Sequence, residues 1–407
     1  MELCSCSSPS VITNQSTVLL NKRQSNLSTE EKSSVFRIQE EIKKHVVKLP
    51  SEKYKKKVMT LEKDLFSCFN LKLGVDIISE DISLLNENNN NNYYIHLIRT
   101  ANPDPNKNNF FLIHGIFSSY LHFICILPYL IKRYNVFIPD TIGMGLSARP
   151  QIRFTSSLQC EEYFINIYHI IIKSIFFKGK FNIKKNFYLC GHSLGGFFAS
   201  RYSLRYPMGV KKLLLLSPAG ITDFSIPGTS MNQKSSFFIN CLFVICPSFF
   251  WPCKLRIQNV YRCCCCHNLI KKSYGKYEFK IDEKEIPRNL DGTEFKVDTD
   301  KIASLLRDLT LLSLDYPDDI YECAYYLFGV PPPAAILPIE RALELTNKIP
   351  IIFVYGEKDW MESQGALRLS KYNPKIYKKH TVSKSGHSFA MENPEELCTI
   401  IGQYFEE

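Results

Sequence analysis

Phe187-Tyr188-Leu189-Cys190 runs directly into Gly191-His192-Ser193-Leu194-Gly195-Gly196. An apolar run followed by G-x-S-x-G describes a serine on a tight turn between a strand and a helix, here Ser193 to Tyr206. Gly191 and Gly195 flank the serine because such a turn forces unusual dihedrals and brings backbones close together. A serine hydroxyl is a weak nucleophile unless a base takes its proton. The rest of the chain is therefore expected to supply a histidine, an acid and donors for an oxyanion.

Working outward from Ser193, an oxyanion formed there would meet the free N–H groups and positive dipole end of a helix start. The N–H of Leu194 is the first expected donor, and the second should come from the loop after an earlier strand. Phe111-Leu112-Ile113-His114-Gly115-Ile116 supplies that loop, with His114-Gly115 at the turn and the N–H of Ile116 as the donor. The base is expected late in the chain. Ser385-Gly386-His387-Ser388 follows a strand (Ile376 to Val382) and precedes the last helix (Pro394 to Tyr404), so His387 takes that role. Of the nine histidines, His114 and His192 belong to turn motifs. His45, His96, His122, His169 and His267 lie elsewhere, and His380 sits inside the strand. The acid should follow the penultimate strand. Tyr355-Gly356-Glu357-Lys358-Asp359-Trp360 places Asp359 there, with Glu357 as the nearer rival and Asp223 as the remote one. Its task would be to hold the imidazole tautomer and stabilise the imidazolium.

The segments around these motifs alternate. Strands at Phe110 to Ile113, Tyr134 to Ile138, Phe187 to Cys190, Lys212 to Leu216 and Ile349 to Tyr355 are separated by helices at Leu121 to Lys132, Glu161 to Phe177 and Ser193 to Tyr206. Apolar strands alternating with helices predict an α/β class with a mostly parallel sheet covered by helices on both faces. Ordered motifs on such a sheet predict the α/β-hydrolase fold. Residues 224–345 break the rhythm and are expected to form an inserted cap over the carboxyl ends of the strands. The predicted organisation is thus an N-terminal flexible and amphipathic extension over 1–70, a first core part over 71–223, the cap over 224–345 and a second core part over 346–407. Val35, Ile38, Ile42, Val46 and Val47 give the extension a helical spacing. The asparagine-rich stretch Glu87 to Asn92 reads as a surface hairpin loop.

The 407 residues, 45% of them hydrophobic, are enough to bury a large core. No long uninterrupted apolar stretch predicts a spanning helix, and no secretory signal is read at Met1 to Ser10. The net charge of +10 is spread in short lysine runs such as Lys53 to Lys57. With no nucleic-acid motif, an anionic membrane surface is the partner it suits. The fifteen cysteines are clustered rather than spaced, which suggests free thiols in a reducing compartment. In Cys263-Cys264-Cys265-Cys266-His267 the adjacent cysteines cannot converge on one tetrahedral ion. No metal and no cofactor is therefore expected. Palmitoylation of this run, or of Cys4 and Cys6, is the functional alternative to unmodified thiols.

Asp140-Thr141-Ile142-Gly143-Met144-Gly145-Leu146-Ser147-Ala148-Arg149-Pro150 resembles the D-x-x-G-x-G-x-S-x-R-P segment of abhydrolase 4/5-type proteins. That family includes a lipid-droplet lipase coactivator, an N-acylphosphatidylethanolamine lipase and a mitochondrial cardiolipin deacylase. Gly191 to Pro207, Ser217-Pro218-Ala219-Gly220-Ile221 and Gly356-x-x-Asp359-Trp360-Met361 are similar to the same group. The resemblance covers roughly residues 90–225 and 315–407. It implies action on glycerophospholipids or lysophospholipids. It also implies a possible lysophosphatidic acid acyltransferase, a role tied in the family to H-x4-D. Here His387 is followed five positions later by Glu392, a carboxylate one methylene longer. The coactivator branch lacks the serine, whereas this chain keeps Ser193.

The expected function is a serine hydrolase that cleaves a carboxylic ester of a membrane lipid through an acyl-enzyme on Ser193. The alternatives are the acyltransferase and a non-catalytic lipase regulator. Phe237 to Cys253 is almost wholly apolar but interrupted by prolines, and it reads as a buried cap helix or an interfacial segment. Lys254, Arg256 and Arg262 follow it and suit anionic headgroups. The expected setting is the intracellular, cytoplasmic face of a membrane or a lipid-droplet surface, with the mitochondrion as the alternative.

Overall fold

The computed structural model describes residues 47–48, 51–84, 93–116, 118–177, 181, 183–223, 283–288, 295–315, 323, 327, 339–346 and 349–406. An eight-stranded sheet forms its centre, in the order β10-β9-β8-β7-β4-β5-β3-β2. The strands are β2 (Ile77–Ser83), β3 (Tyr94–Thr100), β4 (Asn108–Ile113), β5 (Tyr134–Pro139), β7 (Phe187–His192), β8 (Val210–Leu216), β9 (Ile351–Gly356) and β10 (Tyr377–Val382). From β5 to β10 every neighbouring pair is parallel, while β3 runs antiparallel to both β5 and β2. A two-stranded ribbon pairs β1 (Val47–Lys48) with β6 (Arg149–Pro150).

The composition of the central strands explains their place. β5, β7 and β9 are buried at every position, so both faces of each strand must be covered. One apolar cluster gathers Phe111, Phe137, Leu189, Leu213 and Phe353 with α3 (Ser157–Ile172) and α4 (Leu194–Arg205). The other gathers Phe110, Val136, Tyr188, Leu214 and Val354 with α1 (Glu52–Ser67), α2 (Leu127–Arg133) and the last helix, Pro394–Phe405. Successive residues of each strand thus face opposite helical layers, as the period of two requires.

Three local findings differ from the sequence reading. The helix expected over Leu121 to Lys132 is split into a 3-10 turn, Tyr120–Phe123, and α2. Pro128 sits at the start of α2, where its missing N–H costs nothing, so the helix restarts there rather than running through. The helix expected from Glu161 begins earlier, at Ser157, because the Ser156 side chain accepts the N–H of Gln159 and caps it. Part of the 1–70 extension is regular structure. Residues Glu52–Ser67 form α1, capped by Ser51, and bury Val58, Leu65 and Phe66 against the sheet's second layer. Of the helical spacing read through Val35, Ile38, Ile42, Val46 and Val47, Val47 lies in the strand β1 rather than in a helix, and the other four lie outside the described residues. So do Glu87 to Asn92, the apolar run Phe237 to Cys253 and the Cys263 to Cys266 cluster.

Two helices on the far side of residues 224–282 return to the core. α5 (Thr299–Asp315) packs on α1, where the Tyr54 hydroxyl donates to the Leu312 carbonyl at 3.2 Å. α6 (Ile339–Thr346) anchors through Glu340, wholly buried, which accepts from Arg368 at 2.5 and 2.8 Å.

Candidate active site

The end of β7 delivers Ser193 at φ 54° and ψ −117°, outside the regions an L-residue prefers, and α4 begins at the next residue. Two close approaches make this turn dependent on glycine. A Cβ on Gly191 would lie 2.2 Å from the Gly195 carbonyl oxygen, and one on Gly195 would lie 2.2 Å from the Ile113 carbonyl oxygen. The N–H of Ser193 donates to the Leu216 carbonyl at 2.9 Å, which seats the turn against the end of β8. Ser193 is 7% exposed.

The loop after β4 lies directly against the serine. A Cβ on Gly115 would stand 3.0 Å from the Ser193 Cβ and 3.0 Å from His192 Nδ1. His114 holds this loop in one orientation. Its Nε2 accepts the Thr141 N–H at 2.9 Å, so its Nδ1 carries the proton and donates to the Gly115 carbonyl at 2.8 Å. The carbonyl and the next N–H of a trans peptide point in opposite directions. Pinning the Gly115 carbonyl therefore fixes the direction of the Ile116 N–H. Neither that N–H nor the Leu194 N–H meets an acceptor among the described residues. Burial holds the His114 imidazole below its usual range, which keeps it in this neutral tautomer.

His387 and Asp359 come together at the carboxyl ends of β10 and β9. His387 Nδ1 lies 2.9 Å from Asp359 Oδ1, with the histidine side chain 19% and the aspartate 2% exposed. Burial alone would raise the Asp359 carboxyl. The bonds from His387, from the Ser217 hydroxyl and from the Met361 N–H (2.9 Å) outweigh it and hold the carboxyl below its usual value. The rival acids are engaged elsewhere. Glu357 accepts the Lys384 N–H at 2.7 Å, and Asp223 pairs with Arg341 at 2.8 Å. Glu392 does not reach the imidazole as a partner. It accepts the Gly386 N–H at 2.5 Å and so shapes the loop that carries His387.

Three contributors were not assigned from the sequence. Ser217, at φ 43° after β8, gives the second oxygen of Asp359 its donor. His192 meets the backbone of His387, and the Trp360 ring lies 4.7 Å from the His387 ring. Ser217-Pro218 directly after a strand was a visible signal for the first, whereas nothing in the local pattern marks the other two.

The D-x-x-G-x-G segment after β5 is a structural staple behind this site. Asp140 is wholly buried and accepts the N–H groups of Tyr120 and Leu146, each at 2.8 Å. Arg149 closes the turn through the carbonyls of Gly143 and Gly145. Among the described residues, no group of three or more His, Cys, Asp or Glu side chains could hold a metal ion. No described helix is long and apolar enough to cross a membrane.

The alpha/beta hydrolase fold family matches residues 108–240, which span β4, β5, β7, the serine turn and β8. The chain has the α/β-hydrolase fold. It is 26% identical over 283 residues to a 1-acylglycerol-3-phosphate O-acyltransferase of Arabidopsis thaliana. That match covers 70% of the chain but only 63% of the relative's length. It is 24% identical over 270 residues to the 1-acylglycerol-3-phosphate O-acyltransferase ABHD5 of Rattus norvegicus, covering 64% of the chain and 67% of that protein. A bacterial membrane phospholipase A shares the fold at a TM-score of 0.54 and 16% identity, over 87% of this chain and 91% of that one. A putative lipase of Acinetobacter baumannii shares it at 0.56 and 15% identity, over 85% and 95%. At these identities the solved structures speak for the α/β-hydrolase fold alone.

Proposed function

We propose that the chain is a serine hydrolase that cleaves a carboxylic ester of a phospholipid, lysophospholipid or related membrane lipid. The observation that carries this reading is the Asp359–His387 pair, whose histidine backbone meets His192 directly before a serine held at a positive φ, with the His114–Ile116 loop against that serine. His387 Nε2 takes the Ser193 proton as Oγ attacks the ester carbonyl. The oxyanion is received by the N–H groups of Leu194 and Ile116. Collapse breaks the bond to the alcohol, which leaves with the proton from His387. Water then attacks the acyl-serine, again giving a proton to His387; the acyl–Oγ bond breaks, Ser193 Oγ takes that proton back, and the fatty acid leaves. Asp359 keeps the proton of His387 on Nδ1 and steadies the imidazolium. Loss of one oxyanion donor in such a site costs about 10²–10³ in rate.

A lipid substrate is supported by the names of the relatives, and a setting at an anionic intracellular membrane or lipid-droplet surface by the basic composition of the chain. Labelling with a fluorophosphonate tests the nucleophile: wild-type protein labels, and Ser193→Ala does not. Undiminished labelling of the variant overturns the assignment.

A second reading, transfer of the acyl group to lysophosphatidic acid, is favoured by the relatives named as acyltransferases. Purified protein given acyl-CoA and lysophosphatidic acid separates the two. Phosphatidic acid formed at the expense of free fatty acid supports transfer, and free fatty acid alone supports hydrolysis. Wild-type rescue of a deletion phenotype by Ser193→Ala would favour a third role, the non-catalytic regulator.

A further inference from the structure

The position between the elbow glycine and the nucleophile is a histidine, and its imidazole is 4% exposed. Its Nε2 lies 2.9 Å from the backbone carbonyl oxygen of His387, a residue 195 positions away. A carbonyl oxygen only accepts, so Nε2 must carry the proton and Nδ1 must be the bare nitrogen. Nδ1 is buried with no partner among the described residues. The rest of the ring is packed. His122 stacks on it at 3.7 Å and 19°, and the His387 ring stands 4.7 Å away.

The loop that carries His387 is held at two further points. The Lys358 N–H donates to the Ser385 carbonyl at 2.8 Å, and the Gly386 N–H donates to Glu392 at 2.5 Å. Both bonds act on the Ser385–Gly386 peptide, one residue short of His387. Asp359 acts on its ring. None of these contacts touches the peptide after His387, whose carbonyl is the group that His192 meets.

Resting on the hydrolase reading above, we propose that His192 is a positioning residue: its Nε2–H clamps the His387 carbonyl and fixes the base relative to the adjacent Ser193. The clamp is economical because residue 192 and the nucleophile share one turn, so the element that carries the serine also carries the hold on its base. A shift in either moves both. Burial first, then His122 and His387, hold the His192 imidazole well below its usual pKa. The ring therefore stays neutral beside His387, and it adds no competing charge.

Two variants separate the bond from the packing. His192→Phe keeps a flat ring for His122 to stack on and removes the donor. His192→Gln removes the ring and keeps an N–H at similar reach. The clamp predicts that His192→Phe lowers kcat and the rate of fluorophosphonate labelling by about tenfold to a hundredfold with KM little changed. His192→Gln should keep the larger share of activity. The reverse order, or equal labelling by His192→Phe and wild type, overturns the proposal. A third measurement needs no variant to fold. Nitrogen-15 histidine NMR of the wild-type protein must find His192 as the Nε2–H tautomer, and an Nδ1–H tautomer overturns the clamp. This last result stands even where the wild-type protein fails to react with the fluorophosphonate, an outcome that sinks the hydrolase reading instead.

Discussion

Replacing Asp359 with asparagine isolates the charge of the candidate acid from its hydrogen bonds. Oδ1 accepts from His387 Nδ1 and from the Met361 N–H, both at 2.9 Å, and Oδ2 accepts from the Ser217 hydroxyl. An asparagine that keeps its carbonyl on the Oδ1 side satisfies the first two. Its NH2 then faces Ser217, whose hydroxyl can rotate and accept. The Met361 N–H opposes the flipped orientation, so the variant should retain the productive histidine tautomer and lose the charge. Two unit charges about 4 Å apart at an effective dielectric of about 20 interact by about 4 kcal/mol. The imidazolium forms only on the way to the transition state, so that interaction appears in the barrier, as a loss of about 10³ in kcat. The assay is ester turnover together with the rate of fluorophosphonate labelling. Glu357→Gln and Asp223→Asn serve as controls, expected within about twofold of wild type because each acid is engaged elsewhere. Asp359→Asn with more than a tenth of wild-type kcat, or a collapse in Glu357→Gln instead, refutes the reasoning. A loss nearer 10⁴ would mean that the amide flips and imposes the wrong tautomer.

Gly145→Ala should destabilise by more than about 2 kcal/mol, because its φ of +54° disfavours a side chain and the new Cβ would lie 2.0 Å from Asp140 Oδ2; an unchanged denaturation midpoint contradicts this. Tyr120→Phe removes the 2.7 Å bond to Glu62, a carboxyl only 1% exposed, and should cost about 1–3 kcal/mol, partly recovered by adding Glu62→Leu. Stability should fall on the acid side. Burial lowers His122 from 6.5 to about 3 and also lowers His114 and His192, so the unfolded chain binds more protons below about 6.5. Their contribution is present above that pH and lost as the pH falls toward 3, which urea midpoints at pH 7 and 4.5 would register. His96 runs the other way. Burial lowers it, but Asp81 and Glu62 raise it more, to about 9, so its contribution is full below about 6.5 and lost as the pH rises through 9. A His96→Gln variant should show a flatter alkaline limb.

Ser193 and Asp359 were legible because each follows a strand whose apolar run is unmistakable, with glycine nearby; β10 before His387 is half polar, so that histidine was legible only from its Gly386-His387 pair and its place before the last helix. Parallel strands buried on both faces write a continuous signal, so β4, β5, β7, β8 and β9 could be read almost residue by residue. Bonds that cross the chain leave no such trace. The Ser217–Asp359 contact spans 142 positions and the His192–His387 contact 195, and neither has a period or a composition. α1 was hidden for a different reason. Its lysines dominate the reading of residues 52–67, while the helix is placed by a narrow stripe of Val58, Leu65 and Phe66 and by the buried carboxyl of Glu62. A buried glutamate in a lysine-rich segment is indistinguishable from a solvated one until its partner, Tyr120, is known. The break within Leu121 to Lys132 was also written remotely, since Asp140 pins the Tyr120 N–H and sets the first turn before α2 restarts at Pro128.

The choice between hydrolysis and transfer does not reside in the residues that the H-x4-D resemblance singles out. The Glu392 carboxylate is occupied by the Gly386 N–H, where it shapes the loop of His387. A carboxylate in that post serves any reaction that needs His387 aligned with Ser193, whichever nucleophile arrives second. Under the proposed mechanism the deacylation step is also indifferent: His387 would take a proton from water or from the hydroxyl of a lysolipid by the same motion, and the acyl-serine would be attacked from the same side. Replacing Glu392 with alanine should therefore depress both activities in the same proportion and leave their ratio unchanged. What can change the ratio is access: how much water reaches the acyl-enzyme, and whether a second lipid headgroup is held within reach of it. Under the proposed mechanism, the partition between fatty acid and phosphatidic acid therefore measures access to the acyl-enzyme rather than Ser193, His387 and Asp359 themselves.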